Sequence, residues 1–207
     1  MGIIIKQFVL GAIENNNFLL IDEESKEAVL IDCTQEDGDI EKALQEYDAK
    51  LKFILLTHGH FDHVLGVNYF RNKYNCQVLL HEADKELVER MPEFARNFGL
   101  PPSETQKIDE FVKEGDVIKL GQNEIKVIHT PGHTQGCVCY LVNDDLFSGD
   151  TLFYECVGRT DLPGGNFKQI VSSIKEKLFV LDDNIKVYPG HGPTSTIGHE
   201  KVNNQFV

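Results

Sequence analysis

Apolar positions along this 207-residue chain fall into short runs separated by turn-forming residues. Residues 3–9, 18–21 and 28–31 have the length and β-branched content of strands. Asn15-Asn16-Asn17 and the polar stretch 23–26 predict turns between them, so the chain opens as an antiparallel meander. Ile40, Ala43, Leu44 and Tyr47 then recur at helical spacing. Residues 53–56 form a short apolar strand, and Val64, Leu65, Val67, Tyr69 and Phe70 continue as a helix. A strand at 77–80 and a charged helix from about 82 to 90 follow. Three prolines in 91–102 predict a surface loop.

The second half reads as strands at 117–120 and 125–129 and a hairpin of 137–142 with 146–148 through Asn143-Asp144-Asp145. A glycine-rich loop spans 154–165. A helix opens at Gly165 or Asn166 and runs through Ile170, Ile174 and Leu178. The last strand is 185–188, and a short helix follows Ser195. Strands mixed with helices define an α/β chain. No low-complexity stretch or linker divides it, which predicts one domain over residues 1–207.

The chemistry concentrates where apolar runs end. Thr57-His58-Gly59-His60-Phe61-Asp62-His63 follows the 53–56 strand directly. Imidazole and carboxylate are the ligands a borderline divalent ion takes. His58 and His60 suit one ion, and Asp62 and His63 can turn toward a second. The same pattern of strand, then Gly or Pro, then a ligand recurs at Gly132-His133, Gly149-Asp150 and Pro189-Gly190-His191. Glycine permits the sharp turn that aims such a side chain. Four such loops converge only if they leave the same end of the sheets. A lone His is more often a satisfied structural residue; four strand-end ligands in register predict a metal centre. Zinc is the first expectation for its two divalent ions, and His/Asp sites accept iron and manganese as well.

Composition narrows the partners. Charged residues make up 26% of the chain and the formal net charge is −13, which argues against nucleic acid and against an anionic lipid surface. The N-terminal apolar run is too short for a signal peptide, and none approaches membrane-spanning length. Cys33, Cys76, Cys137, Cys139 and Cys156 are odd in number without a C-x-x-C pair, which predicts reduced thiols in a cytoplasmic protein.

The order His58-x-His60-x-Asp62-His63, then His133, Asp150 and His191, resembles the metallo-β-lactamase superfamily across essentially the whole chain. The resemblance implies a four-layer αβ/βα sandwich with the metals at one edge. It implies that His58, His60 and His133 hold a first ion, that Asp62, His63 and His191 hold a second, and that Asp150 bridges them. Gly149-Asp150-Thr151-Leu152-Phe153, Gly158-Arg159-Thr160-Asp161-Leu162-Pro163-Gly164-Gly165 and Pro189-Gly190-His191-Gly192-Pro193 resemble the short glyoxalase II-like hydrolases. Full-length glyoxalase II continues into a basic helical domain for the glutathione moiety, where this sequence stops; weak glutathione recognition is therefore expected. Asn204-Gln205-Phe206 stands where the short group commonly has Asn-Pro-Phe.

The expected function is hydrolysis of a hydroxyacyl thioester of a small thiol. Two ions sharing a water lower its pKa to about 7, Asp62 is a candidate proton acceptor, and a thiolate leaves without an obligate acid. Arg159 is the candidate for a substrate carboxylate, with an ion pair to Asp161 as the competing role. Tyr154 and Cys156 read as packing, His81 and His129 as structural, and His199 as a surface residue. A mononuclear-iron persulfide dioxygenase is the second reading, since Gly158-Arg159-Thr160-Asp161 resembles that family too.

Overall fold

Phe18, Leu19, Leu20 and Ile21 are all buried although they are consecutive. Successive strand residues face opposite sides, so this strand is covered on both faces. Leu19 and Ile21 meet one group of core residues, and Phe18 and Leu20 meet another. That division organises the molecule. The computed structural model describes residues 2–97 and 104–207, side chains 94, 95 and 97 excepted.

The first sheet consists of β1 (Ile3–Leu10), β2 (Asn15–Asp22), β3 (Glu27–Ile31), β4 (Lys50–Leu55), β5 (Gln77–His81) and β6 (Glu110–Val112), side by side in chain order. β1 to β3 are antiparallel, and β3 to β6 are parallel. Parallel neighbours need crossovers. Three of these carry α1 (Gly38–Glu46), α2 (Phe61–Val64) with α3 (Val67–Tyr74), and α4 (Lys85–Asn97). Ile40, Leu44, Val67, Phe70, Val88 and Met91 of these helices bury against one face of the sheet. Asp37 caps α1 by accepting from the N–H groups of Asp39 and Ile40, which are two of the donors a helix start leaves open.

The second sheet contains β7 (Val117–Leu120), β8 (Asn123–His129), β9 (Val138–Val142) and β10 (Asp145–Gly149). After a small hairpin of β11 (Leu152–Phe153) and β12 (Cys156–Val157), and after α5 (Phe167–Ser173), it adds β13 (Lys186–Pro189) and β14 (Ser195–Thr196). β13 lies parallel to β10, so α5 is its crossover helix. Ile170 of α5 and Ile197 of α6 (Ile197–Asn203) cover the outer face, with Ile174 and Leu178 from the π turn that extends α5. Ile125, Val127, Tyr140 and Phe147 face the first sheet. The layers are therefore helix, sheet, sheet, helix, as the resemblance implies. No helix among the described residues is long and apolar enough to cross a membrane.

Three local expectations need correction. Asn15-Asn16-Asn17 is not a turn; it opens β2 and is buried. The turn lies just before it, where Gly11 and Glu14 have positive φ. The asparagines tolerate burial because each is bonded: Asn16 Nδ2 donates to the carbonyls of Pro189 and Gly192, both at 2.9 Å, and Asn17 Nδ2 donates to Thr34 Oγ1. The proline-containing segment after Met91 is helical through Asn97, with Pro92 inside α4; residues 98–102 lie outside the described residues. Burial of Val88 and Met91, each 1% exposed, anchors the turn that leads into the missing N–H. The helix that leaves the His cluster breaks into α2 and α3 around Gly66. A Cβ there would lie 2.6 Å from the backbone of Gln35, so only glycine permits that approach.

Candidate metal centre

The loops that end β4, β8, β10 and β13 meet at one edge of the two sheets. Tyr140 Oη of β9 donates to the Leu56 carbonyl at 2.9 Å, and Val138 N donates to the Thr57 carbonyl at 2.9 Å, so the second sheet holds the His loop of the first. Asn16 N donates to the Gly190 carbonyl at 2.7 Å and ties the His191 loop to β2.

All seven residues expected as ligands come together. His58 Nε2 lies 3.1 Å from His60 Nδ1 and 3.2 Å from His133 Nε2, and the last two are 2.9 Å apart. In a second group, Asp62 Oδ2 lies 3.3 Å from His191 Nε2 and 3.5 Å from His63 Nε2. Asp150 faces both: its Oδ2 is 3.5 Å from His133 Nε2 and 3.7 Å from His191 Nε2, and its Oδ1 is 3.4 Å from His63 Nε2. Gly190 makes room for this carboxylate, because a Cβ there would collide with Asp150 Oδ1.

The ring nitrogens that point outward are held by oxygen. His133 Nδ1 donates to the Arg159 carbonyl at 2.7 Å, and His191 Nδ1 donates to the Ile13 carbonyl at 3.1 Å. His63 Nδ1 is 2.7 Å from Asp32 Oδ2. Thr57 Oγ1 donates to Asp32 at 2.8 Å, which leaves it to accept from His58 Nδ1 at 3.1 Å. Each bond fixes a tautomer and turns an Nε2 lone pair inward.

Three further residues that carry no ligand motif, Asp32, Asp84 and Asn15, support the cluster. Asp32 follows β3 with φ 58° and also accepts from Thr57 N. Asn15 Nδ2 lies 2.7 Å from His63 Nε2. Asp84, wholly buried, accepts from Gly59 N at 2.9 Å, Thr134 Oγ1 at 2.7 Å and Gly136 N at 2.7 Å. It thereby joins the loops that carry His58, His60 and His133. The one sequence signal for Asp32 is a carboxylate at the end of an apolar strand; Asp84 sits in a charged helix start and offers none.

Burial, together with the neighbouring imidazoles, holds His58 well below its usual value and brings His60 to about 4. Burial alone would raise the carboxyls of Asp62 and Asp150, yet the facing histidines, His63 first, hold both below 3.8. His63 and His191 are lowered by burial but raised overall by the carboxylates around them, Asp32 leading for His63 and Asp62 for His191.

This donor set fits divalent ions. Asp150 Oδ1 is buried without a hydrogen bond, a costly state that a cation relieves. His58 and His133 direct lone pairs at one another across 3.2 Å, which a cation between them also relieves. Ligand atoms of His58, His60 and His133 all lie within 4.8 Å of one another, as do those of His58, His63 and Asp150 and those of Asp62, His63 and His191.

Beside the cluster is a cavity of ≈ 390 Å³ reaching His60, Asp62, His133, Asp150 and His191, with Arg159 on its wall. The Arg159 side chain is bound to Asp161 through Nε–Oδ1 and Nη2–Oδ2 contacts of 2.7 Å each. What touches the His cluster is its carbonyl. His81 and His129 stack on each other with ring centroids 4.0 Å apart, and His199 stacks on Tyr154. Cys156 is half-buried rather than buried.

The fold and this cluster define a class. Residues 12–191 match the family model of the metallo-beta-lactamase superfamily, and the chain belongs to that superfamily. It is 38% identical over 200 residues to hydroxyacylglutathione hydrolase GloC of Haemophilus influenzae, covering 95% of this chain and 94% of that protein. Among solved structures it resembles the B3 metallo-beta-lactamase BLEG-1 with a TM-score of 0.90 at 35% identity, over 98% of this chain and 99% of that one. It also resembles TTHA1623 in a di-iron-bound form, with a TM-score of 0.87 at 35% identity, over 98% of this chain and all (100%) of the other.

Proposed function

We propose that the protein is a metal-dependent hydrolase of glyoxalase II type that cleaves a hydroxyacyl thioester of a small thiol. His58, His60 and His133 would hold one divalent ion, Asp62, His63 and His191 a second, and Asp150 both. The observation that carries this reading is the convergence of seven donors, with burial disfavouring protonation of His58 and His60 and both carboxylates held ionised, beside a cavity. Zinc is the first expectation, with iron or manganese accepted by the same donors. When bound, such ions acidify water and polarise a carbonyl oxygen.

The chain's own residues do the rest. Asp62, held ionised at the cavity edge, accepts the proton of the attacking water at its carboxylate. The Arg159, Ile13 and Asp32 oxygens keep His133, His191 and His63 from rotating. The cavity's described lining contains no Ser, Thr, Tyr, Lys or Glu, so no side chain beyond the metal-facing set is placed to protonate a departing group. That favours a leaving group stable as an anion. A thiol, with pKa about 8.5, is one, whereas an amine is not. The similarity to GloC points the same way, and five free cysteines support a cytoplasmic setting.

The test is a metal assay on purified protein paired with S-lactoylglutathione, the matched oxygen ester and amide, and glutathione persulfide. Two ions per chain with the thioester fastest is expected. A single iron with oxygen uptake on the persulfide, or an amide cleaved as fast as the thioester, would refute it.

A further inference from the structure

The cavity has a polar floor and apolar walls. Phe61, Leu87 and Met91 line one side, contributed by α2 and α4. Phe153, Val157 and Leu162 line another, contributed by the β11–β12 hairpin and the loop after it. The one Lys or Arg among its described lining residues is Arg159, and Asp161 already holds that guanidinium through Nε and Nη2.

A thioester has two arms. Biological thiol carriers present amides, carboxylates or phosphates, and none of those matches apolar walls without donors. Among the described lining residues, the carboxylates of a peptide thiol would meet one cation, already paired with Asp161, on a chain of net charge −13. The acyl arm is therefore the one that enters. A lactoyl group offers a single methyl to walls supplied by eight apolar side chains among the described residues, in ≈ 390 Å³.

We propose that the acyl arm of the substrate is an aliphatic chain several carbons longer than lactoyl, lodged between Leu87 and Leu162, while the thiol carrier stays at the mouth. The chemistry rests on the thioesterase reading above: the C–S bond breaks, a C–O bond to water forms, and the products are a carboxylic acid and a thiol, with nothing oxidised or reduced.

The test uses metal-loaded protein and N-acetylcysteamine thioesters of 2-hydroxyacyl chains of increasing length. Each added methylene that leaves water raises kcat/KM about fourfold until the cavity is full. In parallel, non-hydrolysable 2-oxoalkyl thioethers of the same lengths are titrated by calorimetry, and their Kd falls by the same factor per methylene. Leu87→Gln and Leu162→Ser, both at half-buried positions, flatten the two slopes, so that the loss in kcat/KM and in affinity grows with each methylene of the acyl chain. Turnover and binding that are both independent of chain length overturn the inference and leave the thioesterase reading standing. Chain-length-dependent binding without turnover of any thioester sustains the apolar acyl pocket and overturns the thioesterase reading.

Discussion

Asp84 offers a sharp test of how the three-His loops are held. Its carboxylate is fully buried and accepts three hydrogen bonds, two on Oδ2 and one on Oδ1. Burial raises its pKa, and the bonds from Thr134, Gly59 and Gly136 offset part of that cost. In Asp84→Asn the shape survives, but one oxygen becomes an NH2 that must face at least one backbone N–H. A bond to a charged acceptor is worth about 1.5–3 kcal/mol, and an abandoned buried donor costs about 1–3 kcal/mol. Relief from burying a charge offsets some of this, so a net loss of about 2 kcal/mol is expected. Asp84→Ala abandons all three donors and should cost about 3–5 kcal/mol. Urea unfolding of the metal-free protein measures both. Gly59 lies between His58 and His60, and Thr134 follows His133, so loosening them should also weaken metal binding about tenfold or more in chelator competition. Asp84→Asn within 0.5 kcal/mol of the parent, with unaltered metal affinity, would refute the reasoning.

Asp150→Ala should lose metal and nearly all activity by elemental analysis and turnover, because that carboxylate faces both donor groups; Arg159→Ala, whose side chain is occupied by Asp161, should keep its metal and change KM at most. Arg71 holds Asp109 through two bonds of 2.6 and 2.8 Å, which together with Val78 N keep its carboxyl below 3.8. A depressed carboxyl adds stability that is present above the unfolded pKa and lost as pH falls through the folded one. Asp109→Asn should therefore cost about 1–2 kcal/mol at neutral pH, with a gap that closes below about pH 4 in unfolding curves. Native protein should show one readily reactive thiol to an aromatic disulfide reagent, absent in Cys156→Ser, because burial shields the other four and raises the thiols of Cys33, Cys76, Cys137 and Cys139.

The ligand loops were legible in the sequence because their signal is local. An apolar run, a glycine or proline and a His or Asp lie within a few residues at His58, His133, Asp150 and His191, and strand ends in register require those side chains to meet. The order of the longer strands and helices was legible for the same reason, since periodicity is read within a single element; β6, β11, β12 and β14, of two or three residues each, are too short to show one.

What lies around the ligands was decided only by tertiary structure. Asn15-Asn16-Asn17 has turn composition, yet its amide partners lie as far away as Pro189 and Gly192. Pro92 stands inside a helix because burial of Val88 and Met91, in the turn before it, outweighs its local preference. Asp32 and Asp84 gain their roles from donors 25 to 52 residues distant. For Arg159 the sequence leaves a substrate carboxylate and Asp161 as alternative partners; in the fold its guanidinium closes on Asp161 and its carbonyl orients His133. A sequence displays which groups can bind a metal; whether a buried polar group is satisfied depends on partners brought from distant segments, and only the folded chain supplies them.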